Sequence, residues 1–153
     1  DYRASPSIYP GAVLDHPVDI GGRVLKLTLV SMGNPHAVTF VDEPPDEFPL
    51  EVLGPLVEHH PLFSARTNFE VCHVDAPDSM RVRVWERGAG ATLACGTGAC
   101  AAVVAARLHG LAADEVGVTL PGGPVLIRWP GAGDVMMTGP AAYVFEGDVA
   151  ADE

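Results

Sequence analysis

The sequence predicts an α+β domain in which a mostly antiparallel sheet curls around one central helix. Three observations carry that expectation. Period-2 runs rich in Val, Phe, Trp and Tyr recur at short spacing and are bounded by Gly, Pro or Asp, as strands should be. Only two stretches show helical spacing. The second of them, Thr97–His109, opens on turns that are nearly all Gly and Ala, so backbone or a ligand can approach closely at little cost in side-chain entropy.

In chain order, Arg23–Val30 carries Val24, Leu25, Leu27 and Leu29, and His36–Val41 follows it as the next strand. A helix is expected over Leu50–His59, with Leu53, Leu56 and Val57 on its apolar side. Asn68–Val74 and Met80–Glu86 read as a pair of strands. The helix Thr97–His109 places Val103, Val104 and Leu108 at helical spacing and stops at Gly110, where glycine commonly ends a helix. Val125–Trp129 and Tyr143–Phe145 complete the strands.

A chain of 153 residues is one ordinary domain, large enough to bury about 68–70% of the surface exposed when unfolded. Its formal charge of −11 repels phosphate backbones and anionic leaflets, so neither nucleic acid nor a membrane surface is an expected partner. No apolar run approaches the ~20 residues that span a bilayer, and Asp1-Tyr2-Arg3-Ala4-Ser5-Pro6 lacks the basic and apolar regions of a secretory signal. A cytoplasmic location is expected. The three cysteines, spaced 23 and 5 apart, form neither a CxxC motif nor an even disulfide framework, which fits a reducing compartment. Glutamine is absent, and Asn34 and Asn68 are the only asparagines. Each sits just ahead of a strand-like run.

The stretch from Glu86 to Ala101 sets Cys95 on a glycine-rich turn at the mouth of the small-residue helix. Unpaired first-turn amides and the positive end of the helix dipole favour negative charge there. A thiolate or a substrate carboxylate at this turn is therefore expected to be stabilised. The plainer reading of Cys95 is a buried thiol that only fills space. Alternation over Met80–Arg87 puts Val82, Val84 and Glu86 on one face and Arg81, Arg83, Trp85 and Arg87 on the other. Glu86 is then either a wet strand end or a carboxylate held at a partly buried site. Gly88-Ala89-Gly90 lets the chain turn back sharply, bringing Glu86 and Arg87 toward Cys95, with Arg87 offering a fork for a carboxylate.

Asn34-Pro35-His36 forms a second polar knot, and alternation groups His36 with Val38 and Phe40. By itself this describes a satisfied core histidine as well as a functional one. Asn68 reads equally as a turn-former or cap. His59-His60 complements a helix dipole. His16, His73 and His109 have no metal-ligand spacing, so no metal site is expected. The dinucleotide fingerprint, the P-loop and the nucleophile elbow are all absent.

Glu86-Arg87-Gly88-x-Gly90-x-Thr92-x-Ala94-Cys95-Gly96-Thr97-Gly98, with Met32-Gly33-Asn34-Pro35-His36 upstream and Asn68 between, strongly resembles the second half of diaminopimelate epimerases, from about Ser31 to Val149. Proline-racemase relatives share a Cys-Gly-Thr-Gly turn but neither the Glu-Arg-Gly lead-in nor the Gly-Asn-Pro-His motif. The resemblance implies a cofactor-independent inversion of LL-diaminopimelate to the meso form, on the route to lysine and peptidoglycan, by two cysteines on opposite sides of the α-carbon. It implies that Cys95 is one of the pair. Gly96 and Thr97 are implied to hold the α-carboxylate, with Asn34, Asn68, Glu86 and Arg87 on the other polar groups and His36 and Glu86 adjusting thiol protonation.

Two departures stand out. Ala91 replaces the glutamate that the family usually carries before the Thr of its Gly-x-Thr step, and the Cys-Gly-Asn-Gly segment bearing the other catalytic cysteine is absent. The expectation is a single carboxy-terminal domain over residues 1–153, with 1–20 an interdomain lead-in and 142–153 a strand that belongs with a missing amino-terminal half. That half is the expected partner, besides the small-molecule substrate, and an exposed interdomain face is a route to a homodimer. The competing expectations are a noncatalytic domain that binds a small carboxylate and a related racemase for another amino acid.

Overall fold

The computed structural model describes residues 2–4 and 13–148. Among them the elements are β1 Tyr2–Ala4, β2 His16–Ile20, β3 Arg23–Ser31, β4 Pro35–Phe40, α1 Leu50–Glu58, β5 Asn68–Ala76, β6 Ser79–Glu86, β7 Gly90–Thr92, α2 Gly96–Leu108, β8 Glu115–Leu120, β9 Gly123–Arg128 and β10 Val135–Thr138. The strands form one sheet in the order β1-β10-β9-β8-β6-β5-β4-β3-β2, with β7 paired to β6 off that path. This is an α+β fold with a mixed sheet, as the alternation predicts. Every pairing is antiparallel except β4–β5 and β6–β8.

Those two exceptions explain the helices. A parallel pair cannot be joined by a hairpin and needs a crossover. α1 lies in the connection from β4 to β5, and α2 in the connection from β6 to β8. The two helices pack against separate apolar cores.

α2 is buried without interruption from Gly98 to Ala106. A helix with no exposed stripe is a core helix, and here strands β3–β6 and β8–β10 pack around it. Its alanines are short enough to let the sheet close on every side. Register then decides what faces it. His36, Asn68, Glu70 and Val84 lie on one face of neighbouring strands, while Ala37, Phe69 and Trp85 lie on the other.

α1 covers that other face with Leu50, Leu53, Gly54, Val57 and Glu58. Leu56, expected beside Leu53 and Val57, is 45% exposed. The buried stripe follows positions 50, 53, 54, 57 and 58, and Leu56 lies against the Gly21 turn instead. Trp85 packs flat on Gly54.

The expected strand at Tyr143–Phe145 does not form. Residues 141–148 carry no regular structure, and Tyr143, Val144 and Phe145 are each more than 80% exposed (81%, 84% and 81%). Strand-forming side chains make a strand only where a neighbouring edge supplies hydrogen bonds, and β10 is already paired on both sides. Of the segments expected to be lead-in and returning strand, residues 1, 5–12 and 149–153 lie outside the described residues, whereas His16–Ile20 is β2, with Val18 and Ile20 buried. Among the described residues no helix is long and apolar enough to cross a membrane.

Candidate active site

Cys95 is the N-cap of α2, in an extended conformation (φ −134°, ψ 109°) that turns the chain from β7 into the helix. Its residue is only 8% exposed, yet it borders a cavity of about 400 Å³ lined by Glu86, Ala94, Cys95, Gly96, Thr97 and Met137. The other two thiols, Cys72 and Cys100, are fully buried. Burial pushes both up, Cys100 to about 12. Among the described residues Cys95 is therefore the thiol that meets the cavity.

The turn that brings Glu86 back to this sulfur needs positive φ at Gly88 (80°) and Gly90 (83°), a region that side-chain-bearing residues rarely adopt. Glu86 then pairs with Gly90 across β6 and β7. Its carboxylate accepts the Thr92 hydroxyl at 2.6 Å. The same turn is held from behind by Glu58, which accepts the Trp85 indole N–H (2.8 Å) and the Gly88 amide (2.9 Å). Burial pushes Glu58 upward, but those two donors, with His59 and Arg66 nearby, outweigh it and hold the carboxyl below its ordinary range.

Asn68 is a staple rather than a wall of the cavity. Its amide N–H donates to the Pro35 carbonyl (2.9 Å) and its Oδ1 accepts the Arg87 amide (2.8 Å), so one side chain ties the start of β4 to the turn after β6. The Arg87 guanidinium points to the Ala65 carbonyl at 3.0 Å. It is not among the groups lining the Cys95 cavity.

Asn34 and His36 reach the sulfur indirectly. Asn34 donates to the Thr97 hydroxyl oxygen (3.3 Å), which lies 3.6 Å from the Cys95 sulfur. His36 Nε2 contacts Asn34 Oδ1 at 3.0 Å, and its Nδ1 contacts Glu70 Oε1 at 2.7 Å. Glu70 was not anticipated from sequence. The signal was present, since a glutamate alternates with Asn68 and Cys72 on the apolar side of a strand.

The thiol's acidity runs against the expectation from its helix position. Burial pushes Cys95 above its ordinary value; the Thr97 hydroxyl and Gly98 amide draw it down, and Glu70 and Glu86 push it up again. The sulfur closes no formal cap hydrogen bond to the helix, so the amide helps without dominating. Desolvation by the surrounding sheet wins over the helix terminus, and Cys95 rests as a thiol. Because only the thiolate is alkylated, iodoacetamide labelling of Cys95 is expected to be slow at pH 7 and to climb about tenfold per pH unit past the ordinary thiol range near 8.5. A rate that levels off below pH 8 contradicts this balance.

The model of the family described as "Diaminopimelate epimerase" matches residues 28–144, which contain every candidate residue above. The chain belongs to the diaminopimelate epimerase family. It is 53% identical over 137 residues to a diaminopimelate epimerase of Synechococcus elongatus, covering 90% of this chain and 49% of that protein. The corresponding enzyme of Pelotomaculum thermopropionicum is 52% identical over 139 residues, with 91% and 49% covered. The chain thus spans about half the length of the curated diaminopimelate epimerases it matches. A solved structure of a probable proline racemase from Agrobacterium radiobacter shares the fold, with a TM-score of 0.59, 19% identity, and 88% of this chain and 48% of that one covered.

Proposed function

We propose that this chain is one half of a diaminopimelate epimerase that inverts the α-centre from the LL to the meso form by proton transfer between two thiols, with no cofactor required. The observation that carries the reading is a single thiol, Cys95, meeting a cavity whose other polar groups are Glu86, Thr97 and the helix-mouth amides. Inversion requires an acid on one face of the carbon and a base on the other. Cys72 and Cys100 are sealed in the core, so the second group comes from another half. A larger apolar groove of about 570 Å³ shares Ala94 and Met137 with the Cys95 cavity, which supports an extended contact surface there.

In this reading Cys95 enters as the thiol and delivers a proton while an opposing thiolate removes one. An α-proton beside an amino group is a very weak acid. The charge that develops on its removal needs preorganised donors in a water-poor site. The first-turn amides of Gly96 and Thr97 lack intrahelical partners and supply such donors for the substrate carboxylate. Asn68 holds the Arg87 turn in place, and Glu86, fixed by Thr92, faces the substrate's polar groups. The reverse reaction exchanges the roles of the two thiols. The proposal extends to a cytoplasmic step in lysine and peptidoglycan precursor synthesis.

The test is solvent deuterium exchange at the α-carbon of diaminopimelate. The chain alone is expected to show none, and mixing it with the amino-terminal half of a family member is expected to restore exchange and inversion, with proline left untouched. Exchange by the isolated chain, or turnover of proline in preference, overturns the proposal.

A further inference from the structure

We propose that Glu70 is a positioning residue that sets the direction of a hydrogen-bond chain running through His36, Asn34 and Thr97 to Cys95, aiming the Thr97 hydroxyl proton at the sulfur. The inference rests on Cys95 being the reacting thiol. The chain starts on the buried face of β5. Glu70 and His36 are fully buried there, and Glu70 Oε2 has no partner. A buried carboxyl with one orphaned oxygen costs stability, and its retention calls for a reason.

The polarity follows link by link. Asn34 presents Oδ1 to His36 and Nδ2 to Thr97. An amide oxygen only accepts, so His36 must place its proton on Nε2. The 2.7 Å contact between His36 Nδ1 and Glu70 Oε1 joins two acceptors unless one further proton lies between them. The pair therefore holds that proton and is neutral as a unit. At the other end, the Thr97 oxygen receives the Asn34 N–H. Its own hydrogen is left for Cys95 at 3.6 Å.

Without Glu70, the ring is free to carry its proton on Nδ1. Nε2 then becomes an acceptor, Asn34 turns its NH₂ toward it, and Asn34 Oδ1 captures the Thr97 hydroxyl. The sulfur loses its donor. The geometry also accounts for Gly98, where a Cβ would meet Glu70 Oε1 at 3.0 Å and the Cys95 sulfur at 3.3 Å. Glu70 is thus separated from the sulfur by a residue with no side chain. The charged or titratable groups that bear on this cluster are His36 from β4, Glu86 from β6, Cys72 on β5 itself and Cys95 from α2.

The experiment is site-resolved iodoacetamide labelling of Cys95 against pH in this chain and in its Glu70→Gln and Glu70→Ala variants. A glutamine amide can donate to Nδ1 and keep the tautomer, whereas alanine cannot. Glu70→Gln is expected to label with a midpoint at or slightly below the parent's. Glu70→Ala is expected to shift the midpoint upward, labelling roughly threefold to tenfold more slowly at neutral pH for the loss of one donor to a thiolate. A purely electrostatic Glu70 predicts the opposite sign, because removing a negative charge lowers the thiol in both variants. A Glu70→Ala midpoint equal to or below the parent's overturns the proposal. As a measurement that needs no alanine variant, long-range nitrogen correlation spectra of His36 in the parent should show the proton on Nε2. A bare Nε2 overturns the proposal. Labelling behaviour as expected, in a chain whose reunited enzyme fails to invert diaminopimelate, would sink the proposed function and leave the hydrogen-bond chain standing.

Discussion

Replacing Cys95 by alanine in the reunited enzyme is expected to lower the rate of inversion of diaminopimelate by at least roughly 1,000-fold, within the range lost with a general acid or base. The residue sits at the only place among the described residues where a thiol meets the cavity. Its neighbours cannot take over. Glu86 has its Oε1 engaged by Thr92, and the Thr97 hydroxyl is far too weak an acid to stand in for a thiol. Cys95→Ser should be impaired to a similar degree, since a hydroxyl is no better matched to proton transfer near neutral pH. Neither change should unfold the chain, because the sulfur lies at the cavity wall rather than within the packed run Gly98–Ala106. The measurement is meso product formed from the LL isomer, with folding checked by circular dichroism. Inversion by Cys95→Ala within tenfold of the parent removes Cys95 from the mechanism.

The largest effect on stability is expected at Gly54. Alanine in a helix is ordinarily better than glycine by about 1 kcal/mol, and here the sign reverses. A Cβ at this position would stand 2.6 Å from Trp85 Cγ and Cδ2, well inside van der Waals contact. The indole cannot step aside freely, because its N–H is bonded to buried Glu58. Overpacking of this kind costs about 1–3 kcal/mol and occasionally more. A net loss of about 2 kcal/mol, or roughly 5 °C in Tm, is expected for Gly54→Ala in a thermal melt. Gly117→Ala is the comparison, since its Cβ would meet the Asp78 carbonyl at an ordinary 3.7 Å, and it should change stability by less than about 0.5 kcal/mol. If Gly54→Ala melts at or above the parent temperature, the α1–β6 contact is looser than this geometry requires.

The displacement would also reach the site. Trp85 immediately precedes Glu86, and Glu58 holds both Trp85 and the Gly88 amide. One buried carboxylate on α1 thereby locates the turn that faces Cys95. Gly54 is accordingly a packing residue with a functional reach.

Much of this arrangement was legible in the chain itself. Alternation in Met80–Glu86 correctly sorted Val82 and Val84 from Arg81 and Arg83, because a strand's two faces differ in every successive residue. The Gly-rich turn and the alanine-rich run located Cys95 at a helix start, again from neighbours in sequence. Tyr143–Phe145 carries strand-forming residues yet has no regular structure, because β structure needs a paired edge and none is supplied locally. The short strands β1, β2, β7 and β10 lie outside the runs that alternation marks, and so does β8, where glycine at 117 weakens the alternation of Val116, Val118 and Leu120.

Residue types and their local spacing were enough to specify the two helices, half of the ten strands and the cysteine at the helix mouth, since each depends on neighbours within a few residues. The folded structure alone settled how that cysteine is surrounded. His36 meets Glu70 across 34 residues and Asn34 meets Thr97 across 63, contacts created by the parallel β4–β5 pairing and the wrapping of the sheet around α2. The thiol's acidity belongs to that level as well. A helix terminus predicts a lowered value, and desolvation by the enclosing sheet raises it, because the cost of a buried charge is set by all the atoms around the sulfur and not by the turn that carries it.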